Sequence, residues 1–332
     1  MDSPLKRKIV SILTILREAE KPLGGTKIAQ KLKEVGYDLS QRTARYYLKK
    51  MDKEGLTQNL GKKGRTITPQ GEREIKSAFV IDKVGFVASK IDTLTYQMDF
   101  SLRKLKGKII LNVSTMDRSD FQKAVPYIQQ VFRAGLGMGQ FVSLGFPGDK
   151  IGNKTIEDST IAFGTVCSVT VNGVLLKEGI HTTSRFGGIL ELYKGRPLRF
   201  TEIINYDGCS LDPTEIFIKA RMTSVNKTIA TGEGEILANF REIPAMCIPV
   251  VETVLKGLKR AGIEGVLMKG PPSEPVCEVA VAPNKVGLIL VGGLNPVAAA
   301  QESGIEAENH SMSTVVDYHC LIKFSELIGE GN

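Results

Sequence analysis

Apolar residues recur at helical spacing from the start of the chain. Leu5, Ile9, Ile12, Leu13, Leu16 and Ala19 form one stripe behind Ser3-Pro4, which predicts a helix over residues 5–19. Gly24-Gly25-Thr26 opens a second helix, with Thr26 as its N-cap, Ile28, Ala29 and Leu32 facing inward, and Gly36 as its stop. Ser40 caps a third helix over 41–54 that Gly55 ends. Its core face is Ala44, Tyr47, Leu48 and Met51. Two strand-like runs then flank Gly61-Lys62-Lys63-Gly64, the pattern of a β-hairpin. Pro69-Gln70-Gly71 starts a connecting helix, 70–79. Two helices across a short turn, followed by a hairpin, predict a winged helix-turn-helix over residues 1–80.

The rest of the chain resembles itself at a period near 125 residues. Gly107–Val113 parallels Gly234–Phe240, and Arg133-Ala134-Gly135-Leu136 parallels Arg260-Ala261-Gly262-Ile263. These two helix ends belong to segments with Pro126 and Pro249 near their starts. Asn172-Gly173-Val174-Leu175 with Glu178-Gly179-Ile180 parallels Gly292-Gly293-Leu294 with Glu302-Ser303-Gly304-Ile305, and Arg199–Ile203 parallels Lys323–Leu327. Within the first copy the pattern predicts strand 108–114, helix 119–134, strands 139–145 and 162–171, short helix 174–178 and strand 187–193. In the second copy Asn295-Pro296 starts a helix over 296–303. This is the βαββαβ order of the split βαβ pattern. The fold class is therefore α+β: a winged helix-turn-helix followed by an internally duplicated domain over 84–330, with pseudo-repeats at about 84–206 and 212–330. Two related lobes would leave a cleft suited to a small ligand.

Charge changes the picture only once it is located. The net charge is +8, from 44 Lys and Arg against 36 Asp and Glu. Residues 1–80 hold 18 of the basic and 9 of the acidic residues, a net +9, which leaves −1 for the remainder. A basic module on a near-neutral body is the footprint of nucleic-acid binding, although a basic solubilising domain would carry the same charge. On the third helix Gln41, Arg42, Thr43, Arg45, Tyr46, Lys49 and Lys50 lie off the core face. Arg42 or Arg45 could pair with guanine and Gln41 with adenine. Lys62, Lys63 and Arg65 at the wing suit phosphate or the minor groove, and Thr26 and Ser40 complete the DNA-facing set. An amphipathic helix with solvated charges is the competing reading; the three-helix context favours recognition.

The five cysteines are scattered and odd in number, and the three histidines show no zinc spacing, so neither a disulfide framework nor a metal site is expected. No apolar run approaches a membrane span and no signal peptide opens the chain, which reads as cytoplasmic with no membrane partner. Two polar clusters occupy corresponding places in the copies: His181-Thr182-Thr183-Ser184-Arg185, and Asn309-His310-Ser311-Met312-Ser313-Thr314. As loops, they would bring hydroxyls, imidazoles and one guanidinium to an anionic small molecule, because Arg grips a carboxylate bidentately. The effector-binding set is His181, Thr182, Thr183, Ser184, Arg185, His310, Ser311 and Ser313. Plain surface loops rich in Ser and Thr would look the same. Gly292-Gly293-Leu294-Asn295-Pro296 reads as a tight strand-to-helix turn, and Gly135-Leu136-Gly137-Met138-Gly139 as a helix cap. No nucleophile–base, paired-carboxylate or metal constellation is legible, so no catalytic residue and no cofactor is expected, and the chain reads as a non-enzyme.

A winged helix ahead of NGVLLKEGIHTTSRFGGILEL and GLILVGGLNPVAAAQESGIEAENHSMSTVVDY resembles the archaeal nitrogen-regulation repressor family, NrpR, over essentially the whole chain. The resemblance implies a dimeric repressor of nitrogen-fixation and nitrogen-assimilation operons, bound to double-stranded operator DNA and released by 2-oxoglutarate as an allosteric effector. Some members carry two regulatory domains. This chain reads as the shorter form, which points to a second regulatory-domain protein as partner. The choice of Arg185 and its neighbours rests on chemistry and not on the resemblance. The competing readings are a regulator sensing another small anion, an enzyme with a DNA-binding arm, and a coregulator that binds protein in place of DNA.

Overall fold

The structure, a computed structural model, describes residues 3–19, 21–77, 86–151 and 154–329. It divides into two units, Met1–Phe86 and Val87–Asn332. Residues 78 and 79 of the expected connecting helix, the boundary residues 80 and 84, and the expected end at 330 lie outside the described residues.

The first unit is built from α1 (Ser3–Arg17), α2 (Gly25–Glu34), α3 (Gln41–Lys53), strands β1 (Thr57–Asn59) and β2 (Arg65–Ile67) and α4 (Pro69–Ser77). Helix α1 buries Ile9, Val10, Ile12, Leu13, Ile15 and Leu16. That is more than the single expected stripe, because α2, α4 and β2 all pack on it. Each such side chain contributes roughly 1.5–3 kcal/mol of burial. Ala44, Leu48 and Met51 of α3 are fully buried and Tyr47 packs half-buried beside them. Gly24, not Thr26, is the N-cap of α2; it is extended there and accepts the Ile28 N–H at 3.1 Å. β1 and β2 pair antiparallel across a 3-10 turn, Gly61–Lys63.

The second unit begins with α5 (Val87–Gln97) and continues with β3 (Lys108–Asp117), α6 (Arg118–Arg133), β4 (Phe141–Gly145), the short pair β5 (Lys150–Ile151) and β6 (Lys154–Thr155), β7 (Thr160–Val166), α7 (Val169–Lys177), β8 (Thr183–Tyr193) and β9 (Arg196–Asn205). There follow α8 (Pro213–Lys219), α9 (Val225–Thr231), β10 (Gly234–Pro244), α10 (Ile248–Arg260), β11 (Val266–Pro272), β12 (Lys285–Val291), α11 (Asn295–Glu302), β13 (Glu308–Asp317), β14 (Ile322–Lys323) and α12 (Phe324–Leu327). The βαββαβ order is present twice. The expected strand 162–171 stops at Val166, and α7 takes Val169 onward. An uninterrupted apolar run cannot distinguish a buried strand from a helix buried on every side, and Val169–Leu175 are all buried. Pro126 sits well inside α6 rather than near its start.

The two copies are not separate lobes. One five-stranded sheet runs β13-β3-β7-β4-β14 and the other β11-β12-β10-β8-β9. Each copy therefore gives its last strand to the sheet built by the other: β8 pairs with β10, and β13 with β3, both antiparallel. In each sheet the order of the four core strands is that of a ferredoxin-like sheet, with its outer strand exchanged.

Backbone geometry fixes the true equivalences. Gly135 and Gly262 end α6 and α10 with φ of +68° and +67°, followed by matching Leu136-to-Val131 and Ile263-to-Leu258 hydrogen bonds of 3.1 and 2.9 Å. The Cys167 N–H donates to Ile110 O at 2.9 Å, and the Gly292 N–H to Leu237 O at 2.7 Å. Gly292-Gly293-Leu294 thus corresponds to Cys167-Ser168-Val169, five residues ahead of the Asn172 run it resembles in sequence. Arg199–Ile203 lies in β9, whereas Lys323–Leu327 turns from β14 into α12, so that likeness is of sequence only.

Candidate functional site

The recognition helix begins at a working cap: the Thr43 N–H donates to Ser40 Oγ at 3.1 Å. Beyond it Gln41, Arg42, Arg45, Tyr46 and Lys49 are exposed, while Thr43 and Lys50 are half-buried. Lys50 lies 3.9 Å from Glu54 one turn on. Thr26, near the start of α2, accepts a hydrogen bond from the Gln41 side-chain amide. Gly25 leaves room for the Arg45 stem, since a Cβ there would lie 2.9 Å from Arg45 Cγ. Lys62 and Lys63 are exposed on the hairpin tip. Arg65 is not part of that exposed set. Its side chain is only 13% exposed and its Nε lies 2.9 Å from Asp52 Oδ2: although it pairs with Asn59 next to the turn, its guanidinium is directed inward to α3.

The two polar clusters of the second unit are strands rather than loops. Thr183, Ser184 and Arg185 open β8, and His310, Ser311 and Ser313 lie in β13, the two exchanged strands. His181 is exposed ahead of β8, and the Thr182 hydroxyl is buried without a partner. Thr183 and Ser313 are half-buried. Arg185 does not offer a free guanidinium, since it is paired with the buried Glu242. The His310 imidazole lies 3.3 Å from Glu308. Ser184 and Ser311 point differently, into the seam between the two copies. Ser311 shares a 2.8 Å hydrogen bond with Thr214, and its carbonyl accepts from Lys90 at 3.1 Å.

A chamber of about 20 Å³ lies at this seam, bordered by Asn112 and Ser168 of one copy, Asn239 and Gly293 of the other, and Tyr206, Asp212, Thr214 and Ser311. Both α7 and α11 begin at its edge, so two helix amino termini face it. Gly293 must be glycine there: a Cβ would fall 2.4 Å from Val166 O and 2.5 Å from Asn112 Nδ2. Next to Ser168 sits Arg241, fully buried. It donates to Ser184 at 2.8 Å and to Ser168 at 3.0 Å, and its Nε has no partner. Asn172 donates to the same Ser184 at 2.9 Å, and its own carbonyl oxygen is unpartnered.

Burial disfavours charge throughout this cluster. It pushes the Cys167 thiol up to about 11, raises the Tyr206 phenol well above its usual range and lowers the Arg241 guanidinium. Tyr206 and Asp212 partly counter that effect at Arg241, whose Nε keeps spare donor capacity that an anion beside it would take up. By contrast, a larger cleft of about 1220 Å³ next to His310 is lined by six carboxylates, among them Asp120, Glu215 and Glu306, against Lys219, Arg221 and Lys227. Its charge balance opposes an anion.

Arg241, Asn172, Asn112 and Asn239 were not among the expected site residues. A signal existed: Asn112 and Asn239 fall at matching places in apolar strand runs of the two copies, and Arg241 interrupts one of those runs. Among the described residues there is no group of three or more His, Cys, Asp and Glu that could hold a metal, and no helix is long and apolar enough to cross a membrane.

Residues 84–323 match the family model of the NrpR regulatory domains NRD1 and 2, and residues 10–75 match the ribonuclease R winged-helix domain. The global nitrogen regulator NrpRI of Methanosarcina mazei is 35% identical over 97% of this chain and 99% of its own length. The global nitrogen regulator NrpR of Methanococcus maripaludis is 34% identical over 95% of this chain but only 55% of its own. The crystal structure of a nitrogen repressor-like protein from Methanococcus jannaschii matches with a TM-score of 0.62 and 26% identity, covering 73% of this chain and 99% of that one.

Proposed function

The chain belongs to the NrpR family of nitrogen regulators, and on that premise we propose that it is a DNA-binding repressor of nitrogen-fixation and nitrogen-assimilation genes, released from its operator by 2-oxoglutarate. The observation that carries the DNA half is the exposed polar face of α3, with Gln41, Arg42, Arg45, Tyr46 and Lys49 off the core side, beside a wing tip bearing Lys62 and Lys63. Donors of these types reach base edges and phosphates when a recognition helix enters the major groove.

The effector half is supported by the seam. Arg241 behind Ser168 and Ser184, with α7 and α11 beginning at the chamber edge, supplies donors of the kind a dicarboxylate needs, set against the carboxylate of Asp212 in the chamber lining. The chamber is water-sized, so the copies must part to admit such a ligand. Ligand binding would then stabilise an opened arrangement, and release requires that the effector bind the DNA-incompetent arrangement more tightly than the DNA-competent one. In a homodimer the two recognition helices would span half-sites about 34–36 Å apart, so a modest change of spacing would break simultaneous contact.

The test is a titration of 2-oxoglutarate against a labelled promoter fragment at fixed salt. DNA affinity falling with effector supports the reading; unchanged affinity overturns the effector half, and no promoter binding at all overturns both. A thermal-shift screen of other small anions then identifies a different effector.

A further inference from the structure

We propose that Asp52, Thr57 and Arg65 form a latch that holds the wing in register with the recognition helix, which makes Arg65 a positioning residue and not a DNA contact. The inference deepens the DNA-binding reading and rests on it.

Two segments meet Arg65 directly, and a third joins through Asp52. Its Nε lies 2.9 and 3.2 Å from the two oxygens of Asp52, near the carboxyl end of α3. The same carboxylate accepts the Thr57 hydroxyl at 2.6 Å from the first residue of β1, and Thr57 is only 4% exposed. The Arg65 backbone meanwhile exchanges both hydrogen bonds with Leu23, at 2.9 and 3.0 Å, in the connection between α1 and α2. Gly64 makes that approach possible: its φ is +108°, and a Cβ would lie 2.6 Å from Leu23 carbonyl carbon. The start of β2 is therefore tied to α3 by charge and to the α1–α2 connection by backbone.

The pair is mostly shielded, with side-chain exposures of 13% for Arg65 and 21% for Asp52. Screening is weaker there than at the surface, so the pair holds its geometry better than an exposed one. If Arg65 swung out to a phosphate, Asp52 would remain half-buried without its cation, a costly state. Lys62 and Lys63, three and two residues earlier in the chain, have no such commitment to Asp52 and stay exposed. The latch thus separates the wing into two held strands and a contacting tip, and it sets where the tip stands relative to Gln41, Arg42 and Arg45.

The experiment measures promoter affinity of the full chain across a salt series for wild type, Asp52→Asn, Arg65→Gln and the double variant. Each single variant is expected to weaken binding about tenfold, the scale of a charge-assisted hydrogen bond. The double variant should be no weaker than either single one, since both remove the same coupling. The salt slope should stay at the wild-type value, whereas Lys62→Ala lowers it by about one. An Arg65→Gln variant that lowers the slope by about one, or an Asp52→Asn variant that binds more tightly because it frees Arg65, overturns the latch. Thr57→Val, which keeps shape and removes one bond, gives the same direction at smaller size if a charge variant does not fold. If the wild type fails to bind the promoter, the DNA-binding reading falls separately. Amide exchange over residues 57–67 then decides the latch: faster exchange in the variants supports it, and unchanged exchange overturns it.

Discussion

The two units place their polar side chains in opposite ways. In the winged module the hydrogen-bonding groups of α3 point outward around a conventional apolar core of Ile12, Leu13, Ile28, Leu32, Leu48 and Met51. In the duplicated unit the informative polar groups are inside, with Arg241, Asn112, Asn239, Asn295 and Thr170 all buried between apolar strands and helices. An outward face serves a large, charged, rigid partner that comes to it. An inward cluster does something else: it ties the two copies together and leaves one donor, Arg241 Nε, and one acceptor, Asn172 Oδ1, buried without partners. The difference teaches that exposure marks the contact surface of one unit, while unsatisfied burial marks the candidate site of the other.

The largest effect that tests this contrast is on DNA. Replacing Arg42 and Arg45 together by Ala should lower promoter affinity 100-fold or more in a mobility-shift assay, at about 1–3 kcal/mol per base-reading contact. Thermal stability should be unchanged, because both side chains are exposed. A coregulator that binds protein in place of DNA would show no loss of promoter binding to these changes.

The next effect falls on the seam. Asn295 accepts the Leu237 N–H at 2.9 Å and donates to Leu237 O and Leu136 O at 3.1 Å each. Asn295→Ala should cost about 2–4 kcal/mol in urea unfolding, the scale of leaving buried backbone groups unpaired. In the other copy Thr170 holds the equivalent Ile110 backbone with longer bonds of 3.2 and 3.3 Å, so Thr170→Val should cost less, about 1 kcal/mol. Equal losses at the two positions would show that the copies do not differ in how firmly they are clamped. In the winged module, Ser40→Ala should cost about 1 kcal/mol of stability through the lost cap on α3.

The smallest effect on stability, and the sharpest on function, is expected at Arg241. Arg241→Met keeps the volume and removes a buried, incompletely partnered charge, so stability should stay within about 1 kcal/mol of wild type. The response of promoter binding to 2-oxoglutarate should be lost. A variant that unfolds at lower denaturant yet keeps its effector response would mark Arg241 as structural and move the ligand elsewhere.

Much of the winged module was legible residue by residue. The cap at Ser40, the buried face of α3 and the lysine tip all follow from local chemistry: a side-chain oxygen ahead of a helix, a period near 3.6, and glycines around a turn. The shielding of Arg65 was not legible, because it depends on Asp52, thirteen residues away and brought close only by the fold. In the second unit the βαββαβ order and the matched glycine caps were visible, since a strand or a helix end is specified within a few residues. The limits of α7 were not, because a helix buried on all sides has no polar face to give it a period.

The sequence by itself determined the outward half of this protein: a basic module, a recognition helix and its exposed donors, and the duplication that follows. Only the tertiary structure decided which strand closes which sheet. Strand exchange depends on pairings between residues far apart in the chain, such as Gly234 with Leu192 and His310 with Val113, and β propensity is the same whichever sheet receives the strand. That choice turned the expected polar loops into β8 and β13, paired Arg185 with Glu242, and left Arg241 as the cation at the seam. Local pattern tells a chain which residues to bury; the packing of distant segments tells it which of the buried polar groups will lack a partner.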